Sequence, residues 1–176
     1  MNSPPQIEPL LSGGTGSVSH TEEVPSFLPD RFEPGTPNIP GILGLHAALC
    51  DLEQTDMDKL HQHELELTQY FINGLMQMDP SESTLRAIGK HNTIERTSVV
   101  SVQTLQTDMA RVAYEMDDTY GIMTRVGLHC APSAHKTLGT YPEGTIRFSF
   151  GPENTHHEVD LALHALAEIT GSPYHL

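Results

Sequence analysis

The sequence predicts an α/β to α+β chain, in which a small C-terminal sheet carries helices on one face and is preceded by a long helix and a loop-rich N-terminal stretch. Three observations carry this reading. From about residue 84, β-branched runs and helical periodicity alternate in the order β-α-β-β-α. Between about Asp56 and Met78, the residues Leu60, Leu67, Phe71, Leu75 and Met78 recur at steps of seven, four, four and three, which is one helical stripe. Residues 1 to about 40 show neither period. The chain therefore divides into 1–55 (loops and a helix), 56–83 (a long connecting helix) and 84–176 (a small α+β domain).

The elements follow in order. The first forty residues are rich in Gly, Pro, Ser and Thr, yet Phe27, Leu28, Phe32 and Ile39 argue against full disorder. Pro40 opens a helix whose Ile42, Leu43, Leu45, His46, Leu49 and Leu52 make a broad apolar face. The long helix stops at Asp79-Pro80. SVVSVQT (98–104) is strand-like. Asp108 to Tyr120 reads as a helix with Thr107 as its N-cap and Met109, Val112, Ala113 and Met116 on one face. Gly121 to Val126 reads as a short strand, Gly127 to Gly144 as a loop, and Thr145 to Phe150 as another strand. Thr155 caps a last helix with Val159, Leu161, Leu163, Leu166 and Ile169 at its apolar positions. The apolar faces of residues 40–78 expect partners, by self-association or otherwise.

Composition narrows the function classes. Nine basic against 23 acidic residues give a formal charge of −14, which argues against nucleic acid and anionic membrane as partners. No run of about eighteen apolar residues exists to cross a bilayer. The first residues have no basic or apolar leader, so a cytoplasmic address is expected. Cys50 and Cys130 make no disulfide framework and read as free thiols.

Cys130 is the first candidate for chemistry. It follows a strand, on a loop flanked by His129 and Pro132, with Arg125, His135 and Lys136 close in sequence. A partly exposed thiol near cations is the setting of a nucleophilic cysteine; a buried, inert cysteine is the alternative. Cys50, among Ala47, Ala48 and Leu49, reads as structural. Arg125 and Arg147 sit in predicted strands, where a guanidinium either faces solvent or reaches a carboxylate. The turn GGTGS (13–17) can form an anion-binding nest or be a plain flexible turn. The densest histidine pairs, His61-x-His63 and His156-His157, lack ligand spacing, and no metal site is expected.

Taken together, GGTGS (13–17), FLPDRFEPGTPNIPGILGL (27–45), RTSVVSV (96–102), YGIMTRVGLHCAP (120–132), AHKTLGT (134–140) and GTIRFSFGPENTHHEVD (144–160) resemble, in order, the class V aminotransferase family of fold-type I pyridoxal-phosphate enzymes in its cysteine desulfurase branch. The resemblance implies a C-terminal portion holding the small domain and remnants of the large one. It implies pyridoxal 5′-phosphate as cofactor and L-cysteine or a similar amino acid as substrate. Sulfur would pass to Cys130 as a persulfide, leaving L-alanine. By the same resemblance Arg147 holds the substrate carboxylate, Arg125 is a second active-site arginine, and Gly14 and Thr15 reach the cofactor phosphate of a neighbouring subunit. Gly35, Thr36 and Asn38 border that shared site, with Asn38 on the substrate side. A homodimer and a sulfur-acceptor protein are the family's partners.

One departure bears on activity. The family needs a lysine for the internal aldimine and an aspartate on the pyridine nitrogen, both ahead of the glycine-rich turn. The three lysines here are Lys59, Lys90 and Lys136. Ala134-His135-Lys136 looks like the lysine motif, but its setting matches the segment downstream of the cysteine, so Lys136 is not assigned as that lysine. The expectation is a fragment or split product that is inactive alone and is restored by an N-terminal complementing chain. A non-catalytic binding or regulatory module, and a persulfide carrier working without the cofactor, are the alternatives.

Overall fold

A computed structural model describes residues 7–14 and 17–173. It divides into two units, Met1–Thr55 and Asp56–Leu176.

The first unit is a looping segment followed by helix α1 (Ile39–Gln54). Asn38 caps α1: its Oδ1 accepts from the Gly41 amide at 3.1 Å, and a proline lies in the first turn, where its missing N–H costs nothing. Ahead of the helix a short 3-10 turn spans Asp30–Phe32, and Arg31 is ion-paired to Glu8 at 3.1 Å. None of the residues of α1 is buried: Ile39, Ile42, Leu43, Leu45, Leu49 and Leu52 are all exposed. Periodicity foretells this helix, but its apolar side chains have no core here.

The second unit holds the remaining elements: α2 (Met57–Met78), β1 (Leu85–Ile88), β2 (Val99–Thr104), α3 (Met109–Tyr120), β3 (Arg125–Gly127), α4 (Pro132–Leu138), β4 (Thr145–Ser149) and α5 (His156–Thr170). The four strands form one antiparallel sheet in the order β1-β2-β4-β3. Register and the two-residue period of strands sort its side chains onto two faces. Leu85, Ala87, Val100, Val102, Ile146 and Phe148 share one face and are buried. Leu67, Phe71, Ile72 and Leu75 of α2, Val112 and Met116 of α3, and Val159, Leu163 and Leu166 of α5 complete the core. Phe71 lies 4.7 Å from Phe148 and 5.3 Å from Phe150, centroid to centroid. Where α2 meets α5, a Cβ on Gly74 would stand 2.3 Å from a Leu163 methyl, so the close approach requires glycine.

Asp79 joins the helical layer to the sheet. Its carboxylate accepts from the amides of Thr84 (2.6 Å) and Leu85 (3.0 Å) and from the Ser81 hydroxyl (2.8 Å). Burial works against the ionised form, but those amides and the hydroxyl outweigh it and hold the carboxyl down at about 2.

Several boundaries differ from the sequence reading. Strand β1 was not foreseen; Leu85 and Ala87 alternate with Arg86 and Ile88 over only four residues, too short a run to signal on its own. The cap of α3 is Asp108, which accepts from the Arg111 amide at 2.8 Å, and not Thr107. Residues 121–124 are not strand: Gly121 ends α3 in the left-handed conformation, and pairing begins only at Arg125. The predicted loop 127–144 contains α4, entered through Pro132. Leu161, placed on the apolar stripe of the last helix, is 37% exposed. Thr155 does cap α5, in a capping box with Glu158.

Candidate functional site

The sheet face turned away from the helices is polar, and it carries the arginines. In register, Ser101 of β2, Arg147 of β4 and Arg125 of β3 stand side by side across three strands. Two like charges directly opposite each other weaken an antiparallel pair. Neither Arg125 nor Arg147 forms an ion pair with a carboxylate among the described residues, and the Nε of Arg147 is buried without a hydrogen-bond partner. Two arginines at paired positions, one of them with a buried Nε lacking a partner, suit a planar anion such as a carboxylate.

Cys130 lies on the turn that follows β3. The Ala131 amide donates to the Leu128 carbonyl at 2.8 Å, and both central residues, His129 and Cys130, have positive φ (50° and 59°). This is the pattern of a type I′ turn, normally left to Gly and Asn. Cys130 is a free, exposed thiol. The turn is pinned at its base by glycine. Gly144 has φ +83°, and a Cβ there would stand 2.2 Å from the Gly127 carbonyl oxygen. Further along, the Gly144 carbonyl accepts from Gln103 Nε2 at 3.2 Å, and Arg86 Nη2 bonds to Gln103 Oε1.

His129 connects turn and sheet. Its Nε2 is 3.1 Å from Thr145 Oγ1. Its ring lies 5.7 Å from that of His135, which is buried and hydrogen-bonded through Nδ1 to Thr140 Oγ1 at 2.7 Å. Burial first, then electrostatic interaction with Arg147 and the neighbouring His135, hold the His129 imidazole below its usual range, against an opposing effect from Thr145. His129 is thus held toward its neutral form.

The predicted site residues fall into two groups. The second unit brings Arg125, Arg147 and the Cys130 turn onto connected backbone. In the first unit, Gly14 lies against Gly35, at 3.7 Å from an added Cβ to the Gly35 Cα, and Gly35 has φ +83°. Asn38 caps α1. Thr15 lies outside the described residues. Sequence reasoning missed Thr145 and Thr140 as partners of the two histidines. Counting back two residues from Arg147 would have placed Thr145 on the same face of β4. Among the described residues no cluster of His, Cys, Asp and Glu could hold a metal ion.

The three lysines have local, exposed partners. Lys59 pairs with Asp56 at 3.1 Å and Lys90 with Glu95 at 2.8 Å, and Lys136 Nζ lies 5.1 Å above the Tyr141 ring.

Comparison with known proteins gives the family. The family model described as aminotransferase class-V matches residues 3–162. A probable cysteine desulfurase of Pyrococcus abyssi is 34% identical over 169 residues, covering 94% of this chain and 40% of that protein. One of Staphylococcus epidermidis is 33% identical over 164 residues, covering 92% and 38%. The apo structure of a cysteine desulfurase from Thermococcus onnurineus superposes with a TM-score of 0.70 at 33% identity, over 81% of this chain and 34% of that one. The chain spans about two fifths of the length of the curated relatives it matches.

Proposed function

The chain belongs to the class V aminotransferase family, in its cysteine desulfurase branch, and from that premise we propose that it supplies the carboxylate-anchoring and sulfur-accepting half of a desulfurase site. The observation that carries this reading is the Arg125–Arg147 pair, two unpaired guanidinium groups in register beside the turn that presents Cys130. Arg147, with Arg125 next to it, binds the carboxylate of L-cysteine or a similar amino acid. Cys130 accepts the substrate's sulfur as a persulfide, and L-alanine is the other product. The exposed thiol then offers its sulfur to an acceptor protein.

The family's cofactor is pyridoxal phosphate. The described residues do not fit a whole cofactor site: each of the three lysines is engaged at the surface, and none is placed to hold the cofactor's aldehyde. No step through the cofactor is assigned to them. Gly14 and Thr15 remain candidates for its phosphate and Asn38 for the substrate side. Catalysis on this reading needs a lysine-bearing segment supplied by a complementing chain, within a dimer of the family's kind, and the chain alone is inactive. The exposure of Cys130 also suits a second role, a persulfide carrier working without the cofactor.

The test is reconstitution. The chain is mixed with pyridoxal phosphate, L-cysteine and the N-terminal remainder of the Pyrococcus abyssi relative, and alanine is measured. Alanine formed only in the mixture, and lost with Cys130→Ser, is the expected result. A borohydride-stable cofactor adduct on Lys136 of the chain alone would contradict it. Sulfane sulfur loading at Cys130 without the partner would favour the carrier, and absence of both activities would leave a binding or regulatory module.

A further inference from the structure

We propose that the hydrogen bond between His129 and Thr145 sets the reach of Cys130 to the Arg147 guanidinium, which makes His129 and Thr145 positioning residues of the site. This rests on the reading of Cys130 and Arg147 given above and adds how the two are held in register.

The turn has reason to be held. His129 and Cys130 both occupy the left-handed region, at φ 50° and 59°. Such a backbone is strained for a residue with a Cβ and persists only when its surroundings enforce it. The tie that runs from the turn to β4 is the contact of His129 Nε2 with Thr145 Oγ1 at 3.1 Å. Thr145 is 1% exposed and His129 half-buried, so the bond is partly shielded from solvent at its Thr145 end.

Thr145 is also two residues from Arg147 on the same strand. Both side chains leave the same face, about 7 Å apart along β4. His129 thus fastens the residue adjoining Cys130 to a point one strand repeat from the carboxylate anchor. A second histidine lies beside the ring. His135 is buried, lies 5.7 Å from His129 ring to ring, and is itself fixed to Thr140 Oγ1 at 2.7 Å. Thr140 in turn accepts from the Gly144 amide at 2.7 Å, which returns the chain to β4. The loop is fastened at its base, at its wall and at the ring beside the thiol.

Two alkylating reagents read this register without catalysis. Iodoacetate carries a carboxylate and iodoacetamide does not. A guanidinium at a fixed reach from Cys130 raises the ratio of their rates there, and Cys50 of the same chain, beside His46 at 3.7 Å, is the internal reference. Peptide-resolved mass spectrometry measures both thiols in one sample. With a charged hydrogen bond worth about 1.5–3 kcal/mol, the ratio at Cys130 should exceed that at Cys50 by about tenfold or more and fall toward it in Arg147→Gln. Thr145→Val removes the hydroxyl at near-constant shape and should cost most of that excess, whereas Thr145→Ser should keep it. His129→Phe cuts the same bond from its other end and stands in should the valine variant fail to fold. An excess lost in Arg147→Gln but kept in both Thr145→Val and His129→Phe would overturn the positioning role alone. A wild-type ratio at Cys130 no higher than at Cys50 would overturn the shared site on which it rests.

Discussion

On β4, Ile146 and Phe148 turn toward the helices and are buried, while Thr145 and Arg147 leave the opposite face. Five residues of one strand thus serve two ends by simple alternation. The helix-facing residues meet Phe71, Leu163 and the rest of the core, and their worth is area removed from water. The other face places Arg147 beside Arg125, an arrangement that weakens the sheet and, among the described residues, has no ion-pair compensation. Side chains that cost stability and remain unpaired point to a ligand, and the contrast between the two faces separates what folds the chain from what it acts with.

Substitutions on the two faces should therefore separate. Phe148→Ala should destabilise the second unit by about 3–5 kcal/mol, read as a lowered urea midpoint. Should the midpoint scarcely move, the helix-facing side is not the core. Arg147→Gln, which also removes one of the two facing charges, should change unfolding stability by no more than about 1 kcal/mol. In the reconstituted assay the same change should raise KM for L-cysteine by roughly tenfold to a hundredfold, the cost of one charged hydrogen bond. A midpoint shift without a KM shift would make Arg147 a structural residue. Asp79 sharpens the stability side. Its carboxyl is held below the ordinary 3.8, to about 2, so its contribution is complete above 3.8 and is lost as pH falls toward about 2. Urea midpoints followed down in pH should drop across that window, and Asp79→Asn should flatten the drop. Smallest is Arg125→Gln, which removes one of two facing like charges. It should raise unfolding stability slightly, by about 0.2–1 kcal/mol, while weakening carboxylate binding. A loss of stability there would show that the pair is not repulsive.

The same contrast explains what could be read from the sequence. Helices α1, α2 and α5 were legible because their apolar residues repeat over four turns or more. Whether the apolar residues are covered was not: α2 buries Leu67, Phe71 and Leu75, whereas no residue of the more uniformly apolar α1 is buried. Strand β1 and helix α4 escaped because four and seven residues give a period little room. Cys130, Arg125 and Arg147 were picked out by residue type and by the motifs around them. The His129–Thr145 tie was not, since it joins residues 16 apart through a turn whose left-handed geometry no composition rule assigns to His-Cys.

The most direct test of the central claim is the position of the sulfur itself. L-cysteine is supplied to the chain reconstituted with pyridoxal phosphate and the lysine-bearing segment, and persulfide is located by mass spectrometry of the alkylated peptides. The account predicts persulfide on the peptide containing Cys130, reduced about tenfold or more in Arg147→Gln, with Cys50 unlabelled. Persulfide on Cys50 instead, or at Cys130 to the same extent with and without the Arg147 guanidinium, would contradict it.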